Sequence, residues 1–169
     1  LLASSPESII HDFFRDHKNH FPELERAAER LRQEEPCGSD EVLLVLKNRL
    51  TQKHGISVRI KSIDDMSRAL RVFNREISAL YLSEALDHQN RTFQLAHMLC
   101  LLELNDVIAQ LTAESGITSP SGLTRCHVEL ANYFAAAFLM PYETFREAAE
   151  RTRYDVDRLA ATFGVSFEQ

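Results

Sequence analysis

The chain has 169 residues, of which 44% are hydrophobic and 26% charged, and its formal net charge is -6. This length supports one domain with a sizeable apolar core. The acidic balance argues against a chain that grips nucleic acid through its overall field. The longest apolar stretch, residues 131–140, is interrupted by Asn132 and closed by Pro141, so it is too short to cross a bilayer.

The two ends of the chain and its cysteines indicate the cellular setting. The chain begins at Leu1, with no initiator methionine or charged leader, and ends at Gln169 in what reads as the first turn of a helix. We therefore expect a piece of a longer, cytoplasmic protein that is not secreted. The three cysteines, Cys37, Cys100 and Cys126, are far apart and odd in number. They favour free buried thiols over a disulfide or a zinc site.

Three helices are predicted in the first 55 residues. Ser5-Pro6 is typical of a helix start, with the serine as N-cap and the proline at the first helical position. Pro22 begins a second helix. Ser39 is the expected N-cap of a third helix, which Gly55 ends.

The hydrophobic period then changes to two. Ile56, Val58 and Ile60 alternate with polar residues that include Arg59 and Lys61, which predicts a strand with one apolar and one cationic face. Two further candidate strands and the turn between them cover residues 69–73, 79–82 and 74–76. Together these segments predict a small three-stranded sheet.

The rest of the chain is predicted to be helical. The helices cover residues 89–114, 123–139, 142–151 and 156–163. Residues 116–122, rich in Ser, Thr, Pro and Gly, form the one clear flexible loop. Residues 157–168 have the spacing of a helix-turn-helix with Gly164 in the turn, but their acidic surroundings favour structural packing. The predicted fold class is α+β, mostly helical with a small three-stranded sheet.

The helix around His97 carries one histidine on an otherwise apolar face. Many proteins have H-E-x-x-H on such a helix, where two histidines at i and i+4 bind a metal and the glutamate is the general base. Here Met98 takes the place of the glutamate and Leu101 that of the second histidine. Neither side chain can ligate zinc or accept a proton from water, so we expect an apolar pocket instead of a hydrolytic centre.

A second motif lies beyond the loop: Glu129 is followed by A-N-Y-F-A-A at residues 131–136 and by L-M-P at residues 139–141. With the His97 helix and the preceding strands, it resembles the ImmA/IrrE metallopeptidase-like family. The resemblance implies a zincin-type fold whose zinc ligands would be His97, position 101 and a glutamate near position 130. Both of those positions are leucine, and Glu129 is one residue off, about 100° around the helix. We therefore expect this fold without its metal site.

The sequence from Ala131 to Tyr142, and again at residues 153–156 and 159–168, is similar to the short-chain fatty acyl transcriptional regulators. That resemblance implies a domain that senses a short acyl-CoA such as propionyl-CoA and controls genes of propionate, methylcitrate or glyoxylate metabolism. It also implies an N-terminal helix-turn-helix that binds DNA and a C-terminal cysteine-containing domain for any iron-sulfur or zinc group, both outside this chain.

On this interpretation the chain has two parts. Residues 1–55 form a helical segment leading from the DNA-binding domain, and residues 56–169 form the degenerate ImmA/IrrE-like sensing domain, packed with the first part as one unit. We expect no catalytic residue and no metal in this chain. A homodimer or higher homo-oligomer is expected because palindromic operators favour two-fold symmetry. Phe13, Phe14 and Phe21 are candidate elements for the linker and the dimer contact.

The predicted ligand site combines cations with apolar side chains. Arg59 and Lys61 lie about 7 Å apart on one strand face, and are candidates to hold the phosphates of CoA. The alternative is a solvated strand edge. The predicted ligand-binding residues are Arg59, Lys61, Arg91, Phe93, His97, Leu101, Tyr133, Phe134 and Phe138.

Two other functions stay open at this point. One is an active zinc metallopeptidase of the ImmA/IrrE type, for which His127 and Glu129 would have to move toward His97. The other is an interaction scaffold without a ligand. For His97 itself, the alternatives are a hydrogen-bonded core histidine, a direct contact to a ligand and a metal ligand.

Overall fold

The computed structural model describes residues 5–140, 147–148, 150–151 and 156–163. The helices are α1 (Pro6–Asp16), α2 (Pro22–Glu34), α3 (Val42–His54), α4 (His88–Glu103), α5 (Asn105–Glu114), α6 (Pro120–Leu139) and α7 (Val156–Phe163), and the strands are β1 (Ser57–Lys61), β2 (Arg71–Asn74) and β3 (Ala79–Ser83). A short 3-10 turn, Asp64–Met66, follows β1. The predicted α+β class is confirmed.

Side-chain caps begin α1, α4 and α6, whose N-cap residues Ser5, Asp87 and Ser119 each accept a backbone N–H. The Ser5 hydroxyl accepts from the Ser8 N–H, and Ser119 caps α6 in the same way through the Gly122 N–H. The helix predicted from residue 123 therefore begins at Pro120, inside the segment predicted as a loop. Ser39 does not cap α3, which begins at Val42 without a side-chain cap.

The three strands form one mixed sheet in the order β1-β3-β2. β3 lies in the centre, parallel to β1 and antiparallel to β2. Leu80 and Leu82 of β3 are almost fully buried, so the face they share packs against the helices. β1 and β2 begin one and two residues later than predicted, at Ser57 and Arg71, and the strand pattern itself is confirmed.

The helix predicted over residues 89–114 is two helices. The chain bends by 82° between α4 and α5, at Leu104. A straight helix of that length would extend about 39 Å and would carry α5 away from α6. The bend instead buries Ile108 and Leu111 against the core. Among the described residues, no single helix has the length and apolar character of a membrane span, and only this bent pair would qualify by length and composition.

One apolar core joins both parts of the chain. α2 packs on α6 and α3 packs on α4, so residues before and after position 56 share a single buried cluster. Phe13 and Phe21 belong to it, with 5% and 0% of their surface exposed. These two side chains are therefore buried in the core of the chain, and the prediction that they contribute to a dimer contact is not supported by their position.

Several smaller predictions have mixed outcomes. Cys100 and Cys126 are free and buried as expected, whereas Cys37 is free but exposed. The helix at residues 156–163 is confirmed. The helix predicted at residues 142–151 and the turn proposed at Gly164 lie largely or wholly outside the described residues.

Candidate functional site

The His97 side chain is buried between the sheet and α6, and its nearest polar neighbour is an arginine. Arg71, at the start of β2, donates from Nη1 to Nδ1 of His97 at 2.7 Å. The same Nη1 donates to the Gln94 carbonyl at 3.3 Å. Nε2 of His97 lies 3.3 Å from the Val128 carbonyl of α6. The imidazole therefore bridges the edge strand and two helices.

These contacts fix the state of the imidazole. A guanidinium can only donate, so Nδ1 of His97 accepts, and the proton sits on Nε2 and is donated to Val128. Burial, helped by the charge of Arg71, lowers the pKa of His97 to about 4, although the Val128 carbonyl opposes the shift. His97 is thus a neutral histidine near pH 7, and both of its ring nitrogens are already used.

A zinc ion does not fit this donor set. A metal needs an imidazole lone pair, and the one on Nδ1 of His97 accepts from Arg71. Met98 is buried in the apolar core, and Leu101 packs against the same core. Within the described part of the chain, no group of three His, Cys, Asp or Glu side chains could hold a metal ion.

Glu129, the residue one position from the family's ligand, faces another direction. It forms a 3.5 Å ion pair with Arg125 and lines a cleft of about 320 Å³ between α1 and α6, together with Glu7 and His11. The rearranged metal site considered from the sequence is therefore not assembled in this structure.

Arg59 and Lys61 are on β1, the edge strand opposite to the one that carries Arg71. Arg59 pairs in register with Tyr81, so both side chains share the sheet face opposite to Leu80 and Leu82. Nζ of Lys61 lies 4.0 Å from the centre of the Tyr81 ring on that outer face. Arg71 is on the other edge strand and on the inner face, because it pairs with Leu82. The structure does not bring Arg59 and Lys61 together with His97.

The other predicted site residues of α4 surround His97 more closely. Phe93 and Leu101 are partly buried and pack on the core cluster. Arg91 donates from Nη2 to the Glu84 carbonyl at 3.4 Å, and its Nε is buried without a hydrogen-bond partner. Phe93, His97 and Leu101 share one helix face through their spacing of four, whereas Arg91, six residues before His97, lies to one side of it.

The predicted aromatic residues of α6 have structural partners. The Tyr133 hydroxyl donates to Glu25 at 2.6 Å and accepts from the Phe21 N–H, and burial with the Glu25 contact raises the pKa of Tyr133 to about 12. Phe134 and Phe138 are buried, with their rings 6.4 Å apart. Arg32 lies over the Phe138 ring and donates to the Ala137 and Phe138 carbonyls at the end of α6.

Phe134 also lines a cleft that the sequence interpretation missed. This cleft, of about 190 Å³, lies between α2, α3 and α4 and is bordered by charged side chains. Its centre is Arg49, whose side chain is 8% exposed and pairs with Glu34, Glu35 and Glu103. Because Arg49 is fully engaged by carboxylates, it is not available to hold a phosphate.

Arg71 is the residue of the His97 site that sequence reasoning missed. It is 26 positions from His97 in the chain, so no local spacing joins them. One signal was present. In the predicted strand, Arg71 alternates in step with Phe73, which points a cation toward the apolar face.

Comparison with known proteins places this arrangement in a family. The family model described as the IrrE N-terminal-like domain, a peptidase type, matches residues 51–169. The chain belongs to the IrrE N-terminal-like domain family. The resemblance stated from the sequence is confirmed at this level, and this member has lost the polar residues expected at positions 98 and 101.

The curated relatives carry the names of transcriptional regulators. The chain is 34% identical over 96% of its length to the HTH-type transcriptional regulator RamB of Mycobacterium tuberculosis, and 36% identical over 96% to the HTH-type transcriptional regulator PrpR of the same species. It is 33% identical over 99% to the propionyl-CoA carboxylase regulator of Cereibacter sphaeroides. The chain covers 34%, 33% and 35% of these proteins, which is about a third of their length.

A solved structure shares the fold in detail. It is described as a Mycobacterium tuberculosis transcriptional regulator, and it matches 98% of this chain and 50% of its own length with a TM-score of 0.89 and 35% identity. The degenerate His97 helix is thus found in a chain whose relatives are regulators, as the sequence interpretation expected.

Proposed function

We propose that this chain is the ligand-sensing domain of a bacterial transcriptional regulator and that its effector is a short-chain acyl-CoA such as propionyl-CoA. The effector controls DNA binding by a helix-turn-helix domain outside this chain, at genes of propionate, methylcitrate or glyoxylate metabolism. The regulator acts in the cytoplasm as a homodimer or higher homo-oligomer. Acyl-CoA binds one arrangement of the domain better and shifts the population toward it.

The observation that carries this proposal is the altered His97 site in a chain related to regulators over nearly its whole length. The frame of a peptidase is kept, while both nitrogens of His97 are occupied by Arg71 and Val128. One relative is named for the control of a propionyl-CoA enzyme. A short acyl chain suits such a partly apolar site, with about 0.8 kcal/mol gained per buried CH₂.

Within this proposal, the predicted ligand-binding residues form separate groups. Phe93, His97 and Leu101, with Arg91 beside them, are proposed to line the region that binds the acyl-CoA. Tyr133, Phe134 and Phe138 shape it from α6 through the core. Arg59 and Lys61 form a separate outer surface, and a role for them in holding CoA phosphates is a distinct alternative that replacing both residues tests.

Thermal unfolding with and without ligand tests the sensor proposal. Propionyl-CoA at 100 times its Kd should add about 2.7 kcal/mol to the free energy of unfolding. Free CoA is the matched control for the contribution of the acyl group, and acetyl-CoA and butyryl-CoA bracket the chain length. If no short acyl-CoA raises the melting temperature, the proposal is wrong and the interaction scaffold is favoured.

We also propose that the domain does not hydrolyse peptides. Zinc hydrolysis needs ligands and a general base that Met98 and Leu101 cannot supply. We expect the purified chain to carry far less than one equivalent of zinc, and a chelator to leave its melting temperature unchanged. Stoichiometric zinc that disappears in the His97→Gln variant would contradict this and favour the peptidase.

A further inference from the structure

Arg71 is a partly buried cation without a negative partner among the residues that the structure describes. It points to the inner face of the sheet beside Leu82, which is 1% exposed. Its two acceptors, Nδ1 of His97 and the Gln94 carbonyl, are both neutral. Among the described residues, no carboxylate lies within ion-pair distance of its guanidinium, although 25 acidic residues occur in the chain. Burial lowers the pKa of Arg71, which reflects this lack of compensation.

The acceptors of Arg71 leave one edge of the guanidinium unused. Both contacts are made by Nη1, so Nε and Nη2 donate to no described residue. That pair of N–H groups is the edge of arginine that binds two oxygens of a carboxylate or phosphate side by side. Arg49 in the same chain uses this edge, because its Nε and Nη2 hold the two oxygens of Glu103 at 2.9 and 2.8 Å.

His97 fixes the direction of that free edge. The imidazole is 4% exposed and is held by Val128 at its far side. Nδ1 of His97 accepts from Nη1 of Arg71 and so holds the guanidinium in place. Because the imidazole is neutral near pH 7, the positive charge at this site is that of Arg71. Gln94 and Asn90, one and two turns earlier on the same face of α4, are half-buried polar residues.

We propose that the free edge of Arg71 is an oxyanion-binding site, with His97 as its positioning residue, and that it takes a group presenting two oxygens, namely a phosphate or a carboxylate. For an acyl-CoA effector this group is a phosphate of the CoA moiety, a step that rests on the proposed function. For a free short-chain acid it is the carboxylate. The anion supplies the charge that no described side chain supplies, and it couples edge strand β2 to α4 and α6.

Binding of propionyl-CoA to the 169-residue chain and its variants, measured by calorimetry, tests this site. Arg71→Gln removes the charge and should weaken binding by about 10- to 100-fold, the range for a charged hydrogen bond. Arg71→Lys keeps the charge without the two-pronged edge, so its loss should be smaller but measurable. The matched control is Arg75→Gln, an exposed arginine directly after β2, which should bind as the unmodified chain does. Equal affinity of the Arg71→Gln chain and the unmodified chain would overturn the proposal.

A second measurement separates this inference from the acyl-CoA proposal. The imidazole nitrogen resonances of His97 are followed by NMR while inorganic phosphate or propionate is added. A saturable shift that Arg71→Gln abolishes supports the oxyanion site even if propionyl-CoA does not bind, and the comparison of the two anions identifies the source. No shift with either anion, together with no binding of propionyl-CoA, refutes the site.

The positioning role of His97 has its own readout. His97→Gln retains an acceptor for Nη1 of Arg71, whereas His97→Leu does not. Affinity for propionyl-CoA, or for phosphate if the thioester does not bind, should fall in the leucine variant and be largely restored in the glutamine variant. Equal affinity in both variants would show that His97 does not orient Arg71. Melting curves of each variant identify any loss that comes from unfolding.

Discussion

Two arginines of this chain occupy opposite electrostatic situations. Arg49 of α3 is surrounded by carboxylates from Glu34, Glu35 and Glu103, and Lys53 joins the cluster through Glu103. Hydrogen bonding to Glu103 raises the pKa of Arg49 against the effect of burial. Within the described part of the chain, the partners of Arg71 of β2 are neutral, and burial lowers its pKa. An arginine is therefore compensated by carboxylates at position 49, whereas at position 71 no described residue supplies a counter-charge.

This contrast distinguishes a cation that stabilises the fold from one that is available to bind a ligand. A buried charge is tolerated when the fold supplies its partner, and its removal then leaves the partner unpaired. A charge without a partner adds little to folding, and its retention points to a partner outside the chain. Replacement of Arg49 should therefore lower the free energy of unfolding much more than replacement of Arg71.

The largest effect is expected for Arg49→Met. The substitution leaves Glu103, whose side chain is 16% exposed, without its main partner, so the free energy of unfolding should fall by about 3 kcal/mol. Urea denaturation gives this value. The control is Arg26→Met, because the Arg26 side chain is 67% exposed and its ion pair with Glu23 is long, at 4.0 Å. This substitution should lower the free energy of unfolding by at most about 0.5 kcal/mol. Similar small losses in both variants would show that the Arg49 cluster is not structural.

The pH dependence of the free energy of unfolding should show the effects of His97 and of Glu103 in two separate pH intervals. Unfolded His97 takes up a proton near pH 6.5, but in the folded chain its pKa is about 4, so stability falls as the pH drops through that interval. Burial alone would raise the pKa of Glu103, yet Arg49 and Lys53 lower it to about 2 from an ordinary value of 4.5. Stability therefore falls again as the pH drops from about 4.5 to about 2.

Variants assign each interval to its residue. Each of these pKa shifts corresponds to about 3 kcal/mol. His97→Gln should flatten the upper interval and Glu103→Gln the lower one, measured by urea denaturation across the pH range. The Glu103→Gln variant also lacks the ion pair with Arg49, so it should be less stable than the unmodified chain at neutral pH. An unchanged slope between about pH 6.5 and pH 4 in His97→Gln would mean that His97 is not held neutral by the fold.

The elements were largely predictable because their signals are local. Ser5-Pro6 marks the start of α1, and the alternation from Ile56 gives β1. The break at Leu104 was missed because both flanking segments have helical periodicity, and only packing of α5 on α6 requires the bend. Leu101, in place of a second histidine, was the local signal against a metal site. The contact between Arg71 and His97 could not be predicted, because it depends on which sheet face and which edge strand pack against α4.

Arg59 and Arg71 illustrate that limit. Strand alternation correctly predicted that Arg59 and Lys61 share one face of the sheet. It could not predict which face of the sheet packs against the helices. That is decided by burial of Leu80 and Leu82 in the neighbouring strand. Residue type alone therefore favoured Arg59 and Lys61, on the outer face, as candidates to hold a phosphate. Arg71, which shares the inner face with Phe73, becomes visible only when the strands are in register.

The smallest effect is expected for Arg71→Met, and it gives the sharpest test of the contrast. The substitution loses two hydrogen bonds to neutral acceptors but also removes a desolvated charge, so the free energy of unfolding should change by less than about 1 kcal/mol. The pKa of His97 should rise in this variant, because the charge of Arg71 helps to lower it. Imidazole titration by NMR checks the direction. A loss of more than about 2 kcal/mol would make Arg71 as structural as Arg49, and the uncompensated charge would then need no ligand to explain it.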